Sequence, residues 1–315
     1  MVNVRQRGEL KGRAVLIAKI KRYKFLYLLL LPAVVYVFIF NYITIGGVII
    51  AFQNYDIVGG IFSSPFVGLK NFALVFSNPK MLHAIKNTLI YSSVGLFLGT
   101  PFPIILALLL NELKQQTFKK VVQTISYLPY FLSWISVVGM LSTFFAAYGT
   151  YNDILANILG DSYERVNILM NPDWFLPVLF WSGTWKTIGW SSIVYLAAIV
   201  GIDQSMYEAA TIDGCSKFKQ VFYITIPSIM PTIIILFILA TGGLVNSNFE
   251  QVFGFQNLYT QEATETINTL IFRMGIQNGQ YSLSTAFGLT QNFVSFIIVY
   301  FSNVLIKKLS GTGIW

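Results

Sequence analysis

Six apolar stretches run through this chain, each near the length of about 20 residues that a helix needs to cross the hydrocarbon of a bilayer. They are Phe25 to Ile49, Ala84 to Leu109, Ile125 to Ala147, Trp174 to Ile199, Ile226 to Asn246 and Ala286 to Ile306. In lipid every backbone N–H and C=O must find its partner within the protein, so an open chain crosses as helix; the short alternating strands of a barrel are not seen in this sequence. The expected class is an all-α integral membrane protein with six transmembrane helices. Composition agrees, with 55% hydrophobic and 11% charged residues against about 25% charged in ordinary soluble domains.

Charge then sets the expected orientation. Residues 1–24 carry Arg5, Arg7, Lys11, Arg13, Lys19, Lys21, Arg22 and Lys24 against one acid, Glu9. The apolar core that follows is of full span length and lacks a small-residue cleavage site, so it reads as a first membrane helix and not as a signal peptide. Lys114, Lys119, Lys120, Lys217, Lys219, Lys307 and Lys308 fall in connections on the same side; the opposite side holds only Lys70, Lys80, Arg165 and Arg273. The asymmetry predicts both termini in the cytoplasm, and with them the loop 200–226 between helices 4 and 5. The domain scheme is therefore a basic cytoplasmic segment 1–24, a six-helix domain 25–309 and a cytoplasmic tail 310–315. Even with a pI near 9.4, the basic run reads as topology and contact with anionic lipid, with no nucleic-acid partner.

Several activities are excluded by what the chain lacks. A single Cys215 and a single His83 allow neither an internal disulfide nor a cluster with metal-ligand spacing. No G-x-x-x-x-G-K-[ST] phosphate loop occurs, so an ATP site cannot be in this chain. All 13 acids fall outside the six spans, which leaves an ion-coupled carrier little to work with, and no paired acids suggest an enzyme. No catalytic residue, metal or cofactor is assigned.

The polar interval between the fourth and fifth spans is the most specific stretch. Glu208-Ala209-Ala210-Thr211-Ile212-Asp213-Gly214-Cys215 reads as a short helix from Met206 to Ile212, a break at Asp213-Gly214 where glycine permits φ > 0, and a second amphipathic turn from Lys217 to Ile224 carrying Phe218 and Phe222. Pro227 is expected to open the fifth span. This order resembles the EAA motif of bacterial ABC importer permeases, with Ile226 before Pro227 in place of the more usual Leu. The resemblance implies that Glu208, Ala209, Ala210, Asp213, Gly214, Phe218 and Pro227 form a cytoplasmic coupling helix and its supports, seated in a cleft of a separate ATPase subunit. Phe66-Val67-Gly68-Leu69-Lys70-Asn71-Phe72, Asn87-Thr88-Leu89, Tyr127-Leu128-Pro129-Tyr130 with Ser133-Trp134, and the tail Gly311-Thr312-Gly313-Ile314-Trp315 are similar to stretches of carbohydrate-type permeases, within them those for complex oligosaccharides. The family implies a second related permease, two cytoplasmic ATPases that hold ATP and Mg²⁺, an extracytoplasmic sugar-binding protein, and residence in a bacterial cytoplasmic membrane. A permease for a non-sugar solute, or an ion-coupled secondary transporter, stays open as an alternative.

Physical chemistry adds finer expectations. Pro101 and Pro103 should kink the second span, and at the start of the third the stretch Tyr127-Leu128-Pro129-Tyr130 reads, residue by residue, as an aromatic belt with a proline kink. Lys186, near mid-span, must find protein or water, with a backbone carbonyl, a partner subunit or the substrate as candidates. Gln291, Asn292 and Ser295 in the sixth span suit either sugar hydroxyls or helix–helix bonds. The stretch before that span, to Ser284, is too apolar for a free linker and is expected to dip back between helices. Trp185, Asn246, Asn248, Gln251 and Asn292 are the candidates for a substrate path.

Overall fold

The computed structural model describes residues 21–160 and 162–311. Most of the basic N-terminal segment, Asp161 and the tail from Thr312 lie outside the described residues. Among those described, the chain is helical throughout, with one isolated β-bridge between Gln53 and Phe66. Among the described residues four helices are long and apolar enough to cross a membrane by themselves, and the number rises to as many as six where each of two bent helix pairs counts as one span.

Helix α1 (Lys24–Phe52) stands off from the rest of the chain over most of its length, and only its last turns are buried, around Ala51. Its apolar side chains face outward, as a helix in lipid or against another membrane subunit requires. Where it ends, Asn71 donates to the carbonyls of Ala51 (2.8 Å) and Gln53 (2.9 Å). Gly68, at φ +61°, turns the chain into α2 (Lys70–Ser77), which is the glycine turn expected from the Phe66–Phe72 stretch. Phe72 packs on Phe52 with ring centroids 5.1 Å apart.

Helix α3 (Pro79–Glu112) opens on Asn78, which accepts from the Lys80 N–H at 3.0 Å. Its regular geometry is interrupted at Thr100 and resumes at Pro101. Each proline lacks the donor that would serve the carbonyl four residues earlier.

The third span bends at Pro129 as expected, but far more sharply than a kink within one helix from Ile125 to Ala147: α4 (Gln116–Phe131) and α5 (Trp134–Phe144) meet at 99°. Both causes are in the sequence: Pro129 removes a donor and sits in a tight 3-10 turn, and Ser133 is an N-cap whose hydroxyl accepts from the Ser136 N–H at 3.2 Å. Helix α6 (Thr150–Leu159) and the turns after it lead into α7 (Phe175–Val200), which buries Ser182, Lys186, Gly189 and Ser192. At Gly189, α4 crosses α7 backbone to backbone; a Cβ there would lie 2.0 Å from the Ser126 carbonyl oxygen.

A second correction concerns the fifth span. After α8 (Gln204–Ile212), bent 69° from the fourth span, α9 runs unbroken from Lys217 to Val245 (Lys217–Val245). Pro227 does open the α-helical run Ile226–Thr241, as expected, but that run continues from earlier helical turns: it follows directly on a π-helical stretch at Val221–Thr225, whose wider turn accommodates a residue that can neither donate nor approach the carbonyl four residues back.

The segment before the last span dips into the helical body as expected. Within it α10 (Phe249–Phe255) and α11 (Ile267–Phe272) pack among the long helices, with Ile267 and Leu270 buried. Asn87 donates to the carbonyls of Ala263 and Glu265, both at 2.9 Å, and Thr88 accepts the Ile267 N–H at 2.9 Å. The Asn87-Thr88 pair thus serves to hold this segment. Arg273 closes it with an ion pair to Glu265 at 3.2 Å and a bond to Gln256 at 2.6 Å. Helix α12 (Tyr281–Ser310) ends the fold.

The close crossing yields a paired test. Gly189→Ala should lower unfolding stability by about 1–3 kcal/mol, the usual cost of overpacking, whereas Gly95→Ala, with nothing within 4 Å of its Cβ position, should be neutral or stabilising. Thermal denaturation in mild detergent measures both.

Candidate functional site

Two features of the bundle have the makings of a functional site, and they lie along the same helix. The first is α8. Asp203 caps it, accepting the Ser205 N–H at 2.9 Å, which satisfies one of the donors a helix start leaves bare. That bond, reinforced by the Ser205 side chain, holds the Asp203 carboxyl below the ordinary carboxylate range. The cap is complete above the unfolded-state value and is lost as pH falls through the lowered one.

At the other end the break is a Schellman motif. Gly214 stands at φ +76°, its N–H donates to Thr211 (3.1 Å), and the Cys215 N–H donates to Ala210 (2.8 Å). The Asp213-Gly214 stop inferred from sequence is therefore a left-handed cap, one that a β-branched residue would strain.

Glu208 and Ala209 are exposed and Ala210 is half-buried. Around them stand exposed apolar side chains: Met206, Ile212 (87% exposed), Phe218, Phe222 and Tyr223. Phe218 and Phe222 pack ring on ring at 4.9 Å. Apolar groups gathered on an exposed helix and its flank face lipid or another subunit in a membrane protein.

A residue that sequence reasoning missed ties α8 to α9. Gln220, 3% exposed, donates from Nε2 to Thr211 Oγ1 (3.0 Å) and to the Cys215 carbonyl (3.3 Å). The Tyr207 and Thr225 hydroxyls make a second link at 2.9 Å. Nothing in the local pattern distinguishes Gln220 from its polar neighbours, so only the fold reveals it.

The second feature is an open cleft of about 630 Å³ walled by α3, α7, the end of α9 and residues 246–252. Three of the five path candidates line it: Asn246, Asn248 and Gln251. Trp185 and Asn292 lie outside it, on exposed faces. The lining amides already have structural partners. Asn246 accepts from Asn268 at 2.5 Å, Asn248 caps α10 by accepting the Gln251 N–H at 3.0 Å, and Gln251 donates to the Leu179 carbonyl (2.7 Å) and Ser182 Oγ (3.0 Å). Trp134 and Trp190, which were not candidates, border the cleft, and Tyr130 stacks on Trp190 at 4.6 Å with the rings 6° from parallel.

Lys186 finds its partner behind that wall. It is 6% exposed, and Nζ donates to the carbonyls of Tyr130 (2.7 Å) and Pro129 (3.4 Å) while lying 5.4 Å from the Tyr130 ring centroid and 5.5 Å from that of Trp134. A cation placed on the carbonyls of a terminating helix satisfies groups left bare by the break and opposes the negative end of the helix dipole.

Comparison with known proteins covers nearly the whole of this framework. Residues 99–309 match the family described as binding-protein-dependent transport system inner membrane component. Protein LplB of Bacillus subtilis (strain 168) is 39% identical over 299 residues, spanning 95% of this chain and 93% of that protein. The polygalacturonan/rhamnogalacturonan transport system permease protein YteP of the same organism is 39% identical over 300 residues, covering 95% and 93%. Among solved structures, a chain of the bacterial alginate ABC transporter in complex with an alginate pentasaccharide-bound periplasmic protein superposes with a TM-score of 0.84 at 36% identity, covering 94% of this chain and 99% of its own.

The carbonyl cap is open to direct test. Lys186→Met keeps the volume and removes the donor, so stability should fall by about 1.5–3 kcal/mol, the range for hydrogen bonds to charged groups. Thermal unfolding would show the loss, and a change in tryptophan emission would accompany it as Trp134 and Trp190 lose their backing.

Proposed function

Since this chain belongs to the binding-protein-dependent transport system inner membrane component family, we propose that it is the permease subunit of an ATP-driven importer whose cargo is an oligosaccharide. It is a multi-pass membrane protein and a non-catalytic transport component. In this reading the cargo is handed over by an extracytoplasmic binding protein, and a second, related permease completes the translocation path. Two cytoplasmic ATPases hold the ATP and Mg²⁺, and both termini of the present chain are cytoplasmic.

The observation that carries the proposal is mechanical. The exposed helix α8 is bonded through Gln220 and Tyr207 to the base of α9, and the far end of α9, at Leu236 to Gly243, lines the cleft. A displacement of α8 by an ATPase thereby has a covalent and hydrogen-bonded route to the cargo. Glu208 and the small residues Ala209 and Ala210 form the part of α8 that a cleft in the ATPase would receive, and Phe218 and Phe222 support it from the side.

Closure of the ATPases on ATP would draw the two coupling helices together and turn the cavity toward the binding protein; hydrolysis would return it. The cleft suits sugar chemically. It pairs hydroxyl and amide side chains, which match neutral hydroxyls, with tryptophan edges and faces that accept the C–H surface of a pyranose.

Purification from the native membrane in mild detergent should recover an ATPase and a second permease with this chain, with hydrolysis stimulated by one oligosaccharide when its binding protein is added. Recovery of this chain alone, with uptake following an ion gradient, would overturn the reading. In the assembled importer Gly214→Val should reduce uptake about ten-fold or more, the equivalent of roughly 1.4 kcal/mol of strain at the helix stop, while membrane insertion is unchanged. Uptake and ATPase assays on one vesicle preparation measure the ratio.

A further inference from the structure

The wall of the cleft differs in one respect from what an acidic cargo would ask for: among the described residues that line it, none is charged. Its polar groups are hydroxyls and amides, such as Ser92, Thr184, Thr187 and Asn246, set between aromatic rings. The one cation in the fourth span, Lys186, is turned away from the cleft. Its Nζ is held by two backbone carbonyls behind Trp134 and Tyr130, and a uronate in the cleft could recruit it only by stripping the carbonyls that end α4.

We propose that this subunit's wall selects a neutral oligosaccharide and rejects chains of uronic acids. The inference rests on the carbohydrate reading above and narrows its substrate class. Its physical basis is desolvation. A neutral sugar hydroxyl exchanges water for the hydroxyl and amide groups of the wall at little net cost, while a carboxylate pressed against that wall gives up part of its hydration and meets no compensating charge. Trp190, with Tyr130 stacked against it as a rigid backing, favours the same cargo, because the aromatic face is electron-rich and attracts the C–H face of a sugar but repels a carboxylate. The acidic polysaccharide named for the structurally similar importer is thus the class this wall disfavours.

The test uses the complete importer with its binding protein, reconstituted in vesicles, at sugar concentrations that saturate the binding protein so that uptake reads the membrane path. Neutral hexose tetrasaccharides and uronate tetrasaccharides of matched length are compared. The neutral class should be taken up at least about ten-fold faster, given the cost of an uncompensated charge at membrane depth. Thr187, exposed on the cleft wall, is then replaced by a cation. Thr187→Arg, or the smaller Thr187→Lys if the first does not assemble, should narrow that ratio by raising uronate uptake. Equal or faster uronate uptake by the native importer, or a ratio unmoved by the added cation, would overturn the inference and leave the importer reading intact. Uptake of neither class would instead overturn the carbohydrate reading on which it stands.

Discussion

Wherever a helix of this protein stops inside the apolar body, the carbonyls it leaves bare have to be met, because no solvent is at hand to meet them. The fold is arranged around that requirement. Lys186 meets the end of α4. Where α9 tightens into a 3-10 turn at Gly242–Val245, Ser295 donates to the Gly242 carbonyl at 2.7 Å and Gln291 to that of Val245 at 2.6 Å. Asn87 serves the carbonyls of the inserted segment, and Asn257 reaches Leu169 at 2.7 Å. Several buried amides, Asn71, Asn87 and Gln291 among them, are therefore occupied with ending helices, and the end of α9 that Gln291 serves borders the cleft.

This division of labour explains which parts of the molecule could be read from its sequence. The crossings were legible, because about 20 apolar residues in a row have few other fates. The short helix α8 and its stop were legible as well, since Asp213-Gly214 states its own geometry: glycine is the residue that takes φ +76° without strain. In the third span a kink at Pro129 was legible but its size was not, although Ser133 contributes to it. Either residue alone is compatible with a kinked helix, and the decisive term, a lysine 57 positions from Pro129 arriving to close the broken end, is tertiary.

The path candidates separate for a simple geometric reason. Asn246 and Asn248 follow the end of α9, where the chain leaves helical geometry, and Gln251 lies in the first turn of α10, the short helix that Asn248 caps. Trp185 and Asn292 sit in long helices, where one position is a rotation of about 100°. Trp185 follows the cleft-lining Thr184 by one position and is exposed on another face, and α12, which carries Asn292, lends no residue to the cleft wall. Residue type suggested the right chemistry, and helical phase decided which residues could supply it.

The cap at the end of α8 has a practical corollary. Cys215 closes that cap with its backbone amide, not with its thiol, and it is the only cysteine in 315 residues. The side chain is partly exposed, at the junction between the surface offered to a neighbouring protein and the strut of Gln220. The native chain therefore carries a unique attachment point for a spin or fluorescent label beside the stop of α8. One label there reports the surroundings of that helix with no other cysteine of this chain to remove first.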